Sequence, residues 1–376
     1  MATTYQLRTD ILWPGDLQLP DRPPAIVYMD MFLFINLADF AAGRNNPSGY
    51  DMLLPAARRA RSEGRAVFPL STSHVVELCD IGDAQLRRER VAMMEELSGF
   101  SYLLGRPQIQ ELELELEAAL NDIPGVSIEP QGPIPLIGES LLWGFGKRGG
   151  LVTNAPDPDA LGKHICEQMG IEPGAEPMAT LNRWAERELL AGPDDEADPD
   201  LLAAGYNPQV WRDLMGKRAE QERYLVGQLD IEPKYRQGRL RDVVNAKELD
   251  IELGDKLAQM TTAMQTSIGK LLEYDRTKLR DFTDRMPSTR VAVTLKAAYH
   301  KNSKHEWTTN DIHDIDALSI AVPYTDALFA DRSARDKLAN SPELAVFDTF
   351  LPRTPQELVD WLDNLPATNR PVLIGA

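Results

Sequence analysis

Four acidic residues, Asp30, Glu77, Asp314 and Asp331, occupy positions from which a sheet protein can do chemistry. Asp30 and Asp331 each directly follow an apolar run of strand character, residues 25–29 and 327–330, while Glu77 and Asp314 lie near the starts of predicted helices. In a parallel sheet the strands all end on one edge, and sites form there. Carboxylates gathered on such an edge raise one another's pKa unless a cation neutralises them. Oxygen-only ligands select Mg2+ or Mn2+ over Zn2+, and these ions keep waters and bind phosphate. The chemistry that follows is metal-assisted phosphodiester cleavage, one ion activating a water and a second stabilising the leaving oxygen.

The elements that must position these acids can be read from patterning. Residues 25–29 form a continuous apolar strand, followed by helix at 31–42, a connection at 43–49 and a helix at 53–63. A second strand is expected at 66–70, then a helix opened by Ser71-Thr72-Ser73 and carrying Glu77. Strand and helix alternating in this way indicate an α/β unit with parallel strands. Around the third acid, Asp311 reads as a helix N-cap, the apolar run to Val322 as three turns, and Pro323 as the stop. On that helix Ile315, Leu318, Ala321 and Val322 share a face that Asp314 borders, whereas Asp316 points largely away. Residues 106–285 change texture to helix formers broken by Pro, Gly and acidic loops, with helices predicted at 109–120, 177–190, 208–229 and much of 239–284. The α/β texture resumes with helix at 288–300, a strand at 344–347 and a last helix that begins with Thr354-Pro355-Gln356-Glu357, a capping box with Pro at the first helical position. The expected architecture is a leader (1–24), a first α/β part (25–105), a helical insertion (106–285) and a second α/β part (286–376).

Composition limits the partners. The 376 residues include 58 acidic and 40 basic side chains, a formal charge of −18, which disfavours a simple nucleic-acid coat or a membrane surface. Cys79 and Cys166 make neither a disulfide framework nor a zinc pattern. The longest apolar run, 25–38, is too short for a bilayer and contains Asp30. The expectation is a soluble, cytoplasmic chain that does not enter membranes.

The segment Tyr28-Met29-Asp30-Met31-Phe32-Leu33-Phe34-Ile35-Asn36-Leu37 resembles the opening strand and helix of PIN-like ribonuclease domains. Ser71-Thr72-Ser73-His74-Val75-Val76-Glu77-Leu78 resembles their second acidic motif, and the stretch from Asn310-Asp311 to Asp331 their third and fourth. The resemblance covers residues 25–100 and 286–365. It implies a three-layer α/β/α domain with a central parallel sheet, interrupted by the helical insertion. It also implies a Mg2+- or Mn2+-dependent endonuclease, RNA favoured over DNA, with Asp30, Glu77, Asp314 and Asp331 as catalytic metal ligands. Asp316-Ala317-Leu318 offers a second alignment of the third motif, so Asp316 stands as an alternative to Asp314. Asp311 and Asp326 are second-tier ligand candidates, with a cap and a structural hydrogen-bonding residue as their respective favoured readings. A toxin or defence setting, with the insertion sensing a regulatory protein partner, follows by analogy only. Self-association is left open.

Substrate recruitment by so acidic a chain needs local basic groups. Arginines cluster at 58–65 and 87–90, but the first choice for a substrate rim is His300, Lys301 and Lys304, just upstream of the third acid, joined by Lys147 and Arg148. The last two lie in Gly144-Phe145-Gly146-Lys147-Arg148-Gly149, which spells a dinucleotide fingerprint without the strand that must precede one. It reads as a basic loop able to fold over a phosphate, or as a plain connector. His74, one turn before Glu77, is expected to be a hydrogen-bonded core residue. A haloacid dehalogenase-type phosphatase also uses an Asp after its first strand, but it needs a second acid where this chain has Phe32. The remaining alternative keeps the PIN-like fold as a non-catalytic scaffold for a protein or nucleic-acid partner.

Overall fold

A computed structural model describes residues 11–21, 23–44, 47–151, 153–195, 197–203, 207 and 209–366. Parts of the expected leader (1–10 and 22), of the 43–49 connection (45–46) and of the acidic 191–200 loop (196), the start of the helix predicted at 208, and residues 367–376 lie outside that set. The fold is mixed α/β and mostly helical, with short strand pairs of which several are parallel. It divides into two units, each assembled from three separated segments.

The first unit comprises Pro23–Leu104, Ile137–Ala204 and Thr354–Ala376. Its leading strand, Ala25–Met29, is buried at every position and pairs in parallel with Ala66–Val67. Burial on both faces is why the run is apolar without alternation. The strand expected to reach residue 70 stops at Val67, and Leu70 makes only an isolated parallel bridge to Tyr102. Tyr50–Ser62 packs on the pair, Met31–Ala41 and Pro355–Asp363 pack on Tyr50–Ser62, Ala84–Ser98 packs on Met31–Ala41, and Pro177–Ala191 packs on Ala84–Ser98. The last begins as the sequence indicates, with the Thr354 hydroxyl accepting from the Glu357 amide at 3.2 Å and Pro at its first position. The basic clusters at 58–65 and 87–90 are largely consumed internally. Arg90 pairs with Asp39 at 2.9 Å, Arg59 with Asp363 at 3.0 Å, and Arg87 donates to the carbonyl of Ala191 at 2.8 Å.

The second unit comprises Met1–Arg22, Gly105–Leu136 and Gly205–Arg353. Two expectations fail here. The predicted helix 109–120 is broken into Arg106–Glu111 and Leu114–Asn121 by Glu113, which takes the left-handed conformation at φ 60°. Glu115 beyond the break is buried, accepting from the Ser288 amide at 2.9 Å and the Tyr324 hydroxyl at 2.7 Å, so an interior polar anchor overrides the Glu/Leu alternation. The strand predicted at 344–347 is a 3-10 helix, Pro342–Phe347; four apolar residues fit either period, and Pro at its first turn favours the helix.

Helices Gln209–Ile231, Leu240–Glu252, Pro287–Lys301 and Thr309–Tyr324 pack on one another, and their interface is ionic as well as apolar. Leu225, Leu229, Val244 and Val293 form one apolar cluster. Beside it in the chain, Lys296 reaches Glu248 at 2.6 Å, Glu222 at 3.2 Å and Glu252 at 3.7 Å, while Lys247 reaches Glu222 at 2.6 Å. Arg106, with no exposed side-chain surface, pairs with Glu248 and lies 3.4 Å from Asp316. Arg218 closes the array on Asp316 at 2.9 Å and Glu252 at 3.2 Å. Four cations thus face four carboxylates. Breaking such a set by removing one member leaves a buried charge uncompensated, at a cost of about 3–5 kcal/mol. Lys296→Met is expected to lose stability on that scale in urea unfolding, whereas Arg58→Ala, which breaks an exposed pair with Glu96, is expected to lose less than about 1 kcal/mol.

Candidate functional site

In the second unit the third acidic stretch forms the helix Thr309–Tyr324. Its N-cap is Thr308 rather than Asp311. Asp311 completes a capping box instead, accepting from the Thr308 amide at 2.7 Å and hydroxyl at 2.9 Å. Pro323 does not stop the helix, which runs one residue further, to Tyr324. Asp331 follows the strand Ala327–Phe329 closely and caps the helix Arg332–Ala339, its Oδ1 accepting from the amides of Ser333 at 2.5 Å and Ala334 at 3.2 Å. Three of the candidate acids bear on one phenol. Tyr299 is held above its ordinary pKa, first by burial and then by the charges of Asp314, Asp311 and Asp331, which disfavour a phenolate. Lys337 lies over the same ring at 4.4 Å, and the His305 ring approaches it at 4.6 Å.

Asp316 does not belong with this group. The helix is buried on nearly all sides, so the side pointing away from the Asp314 face is also interior. Burial alone would push the Asp316 carboxyl up; Arg218 and Arg106 outweigh it and hold the carboxyl down at about 2. Its oxygens are committed to two guanidinium groups, which favours Asp314 of the two alternatives for the third motif. His300 is likewise not a rim. It is fully buried, its Nε2–H donates to Glu222 at 2.8 Å, and burial lowers its pKa. Lys301 and Lys304, by contrast, are exposed, as are Lys147 and Arg148 in the first unit.

In the first unit Asp30 caps Met31–Ala41, accepting from the Met31 amide at 2.7 Å. Glu77 lies half-buried on the helix Thr72–Cys79. His74 ties the two elements together: its Nδ1 accepts from the Ser71 amide at 2.9 Å, so Nε2 carries the proton and donates to the Met29 carbonyl at 2.8 Å. The imidazole therefore joins the start of the Glu77 helix to the residue before Asp30. It is a core residue with a positioning role, as its place one turn before Glu77 suggests. Sequence reasoning missed the ionic array and Tyr299. Lys296, inside the apolar helical run 291–297, was the available signal, because a cation there needs a buried partner.

Among the described residues, no group of three or more His, Cys, Asp or Glu side chains is arranged to hold a metal ion. Nor is any described helix long and apolar enough to cross a membrane.

Burial lowers the His74 pKa from 6.5 to about 4, against the opposing bond to Met29. The unfolded chain then binds more protons than the folded one between these values. Stability from keeping His74 neutral is complete above pH 6.5 and is lost as pH falls toward 4, by about 3 kcal/mol in total. His74→Gln should reduce the dependence of unfolding free energy on pH across that window, measured by urea titration at pH 7.5 and pH 5.

Comparison with protein-family models, curated proteins and solved structures finds no match to this chain.

Proposed function

We propose that the chain is a Mg2+- or Mn2+-dependent endonuclease of PIN-like, three-layer α/β/α type, with RNA the favoured substrate. The observation that supports the reading is that the charges of acids from two elements, Asp311 and Asp314 on one helix and Asp331 after a strand, all act on Tyr299. Asp314 and Asp331 would hold the ion in this unit, with Asp311 behind them in the capping box. Asp30 and Glu77 are the ligands that the family resemblance assigns to the first unit. A bound ion of this kind polarises a phosphodiester and lowers the pKa of an attacking water. The residues' own contribution is to present oxygen donors from fixed positions, Asp30 and Asp331 being held by amide bonds at helix starts. Lys301 and Lys304, exposed at the end of Pro287–Lys301 and in the turn after it, would contact substrate phosphates, so binding would weaken with salt.

The absence of a ready-made ligand group among the described residues requires the ion itself to draw the carboxylates together. The same observation, with three candidate acids engaged as helix caps, favours a second reading: a PIN-like scaffold that cleaves nothing and serves a protein or nucleic-acid partner. One experiment separates them. Mn2+ should raise the melting temperature of the wild-type protein and support cleavage of single-stranded RNA. Asp314→Asn and Asp331→Asn should abolish both effects, with Asp30→Asn and Glu77→Gln tested as a separate pair. If Mn2+ produces no thermal shift and no cleavage, the scaffold reading stands and the nuclease is discarded.

A further inference from the structure

A second feature lies wholly within the first unit and plays no part in the acid chemistry. A cleft of about 950 Å³ is lined by the end of the glycine loop, by Trp143 and Phe100, and by one face of the helix Pro177–Ala191. Its size falls within the roughly 300–1,000 Å³ typical of small-ligand sites. The loop on its wall needs its glycines. Gly150 has φ 98°, and a Cβ on Gly149 would fall 1.8 Å from the Ser140 hydroxyl oxygen, so neither position accepts a side chain without rearrangement. The loop thereby brings Arg148 to the lining.

The lining combines three kinds of surface. Trp143 and Phe100 are aromatic and partly or fully buried. The cationic side is Arg148 together with Arg183, whose guanidinium lies 5.7 Å from the centre of the Phe100 ring. Arg183 and Arg187 share one carboxylate, Glu95, at 2.6 Å each, so that trio keeps a net positive charge. The acidic side is Glu186, Glu139 and Glu176. Glu186 is already satisfied, accepting from the Leu141 amide at 2.6 Å and the Ser140 hydroxyl at 3.1 Å. Glu139 is different: it is exposed on the cleft wall, among the described residues it has no hydrogen-bond or ion-pair partner, and what burial it has pushes its carboxyl up. A partly desolvated carboxylate on a cleft wall is stabilised by a ligand that brings N–H groups to it.

A ligand matching all three surfaces is planar, anionic at one end and rich in adjacent N–H donors at its edge. Guanine presents N1–H beside its amino group, and a carboxylate can accept from both. Adenine and cytosine place a ring acceptor next to the amino group, and uracil flanks its single N–H with carbonyls, so each of the three would set a lone pair against the carboxylate. Bases stack on aromatic side chains whatever their identity, which leaves the edge to discriminate. We propose that this cleft binds a guanine nucleotide, the base on Trp143 with its edge on Glu139, and the phosphate on Arg148. The proposal goes beyond the nuclease reading and does not depend on it, since it needs neither metal nor cleavage.

The test is calorimetric titration of the full chain, in EDTA, with GMP, AMP, CMP, UMP and guanosine. GMP is expected to bind at least about tenfold more tightly than the other nucleotides. Arg148→Ala should weaken GMP by about tenfold while leaving guanosine unchanged. Glu139→Gln should remove the preference for GMP over AMP. Both side chains are exposed, and unchanged melting temperatures would show that the variants fold. Absence of binding by any nucleotide at millimolar concentration overturns the proposal. Equal affinity for all four bases overturns the base-edge assignment, and equal affinity for GMP and guanosine overturns the phosphate assignment.

Discussion

The second unit depends on a buried balance of charge. Arg106, Arg218, Lys247 and Lys296 face Glu222, Glu248, Glu252 and Asp316 across the interface of four helices and a fifth short one. None of these ions could be buried alone, because the desolvation cost of an unpaired charge exceeds what packing of its stem returns. The array is therefore a constraint of register: a helix that slid by one turn would strand a charge. This makes the ionic core a source of specificity more than of net stability, since apolar residues of similar volume could hold the helices at least as tightly. His300 belongs to the same device, as a neutral donor to Glu222.

That constraint reaches the candidate site through one helix. Asp316 anchors Thr309–Tyr324 to the array, and Asp314, two residues earlier, then bears on Tyr299. Adjacent acids of the same chemical type consequently have opposite roles. Asp316 is held by two arginines, while Asp311, Asp314 and Asp331 share the neighbourhood of a phenol and of Lys337. The capping of helices by Asp331 and by the Thr308–Asp311 box fixes backbone direction at both places, which reduces the conformational entropy lost if an ion or a phosphate is bound there.

In the first unit a neutral imidazole joins two elements of the fold. His74 joins the end of the leading strand, at Met29, to Ser71 at the start of the helix Thr72–Cys79. Its low pKa reflects the same burial that makes it rigid. The cleft of this unit is built differently, from a loop whose glycines are demanded by φ and by close approach, against a helix that carries both charges on one face.

What the sequence by itself determined was local. The apolar run ending at Asp30, the helix after Ser71, the strand before Asp331 and the Thr354 start of the last helix follow from periodicity and capping chemistry, which act over a few residues. The mostly helical character of 106–285 was also legible, although Glu113 and Pro342 show where a short pattern was misread. The roles of Asp314 and Asp316 were decided only by tertiary structure. Amphipathic reading assumes one buried face, and this helix is buried nearly all round, so the side that looks solvent-facing in the sequence meets Arg106 and Arg218 from distant segments. Which charges are solvated and which are paired in the interior depends on partners a hundred or more residues away for Arg106 and Glu248, a separation over which the chain's local pattern carries no information.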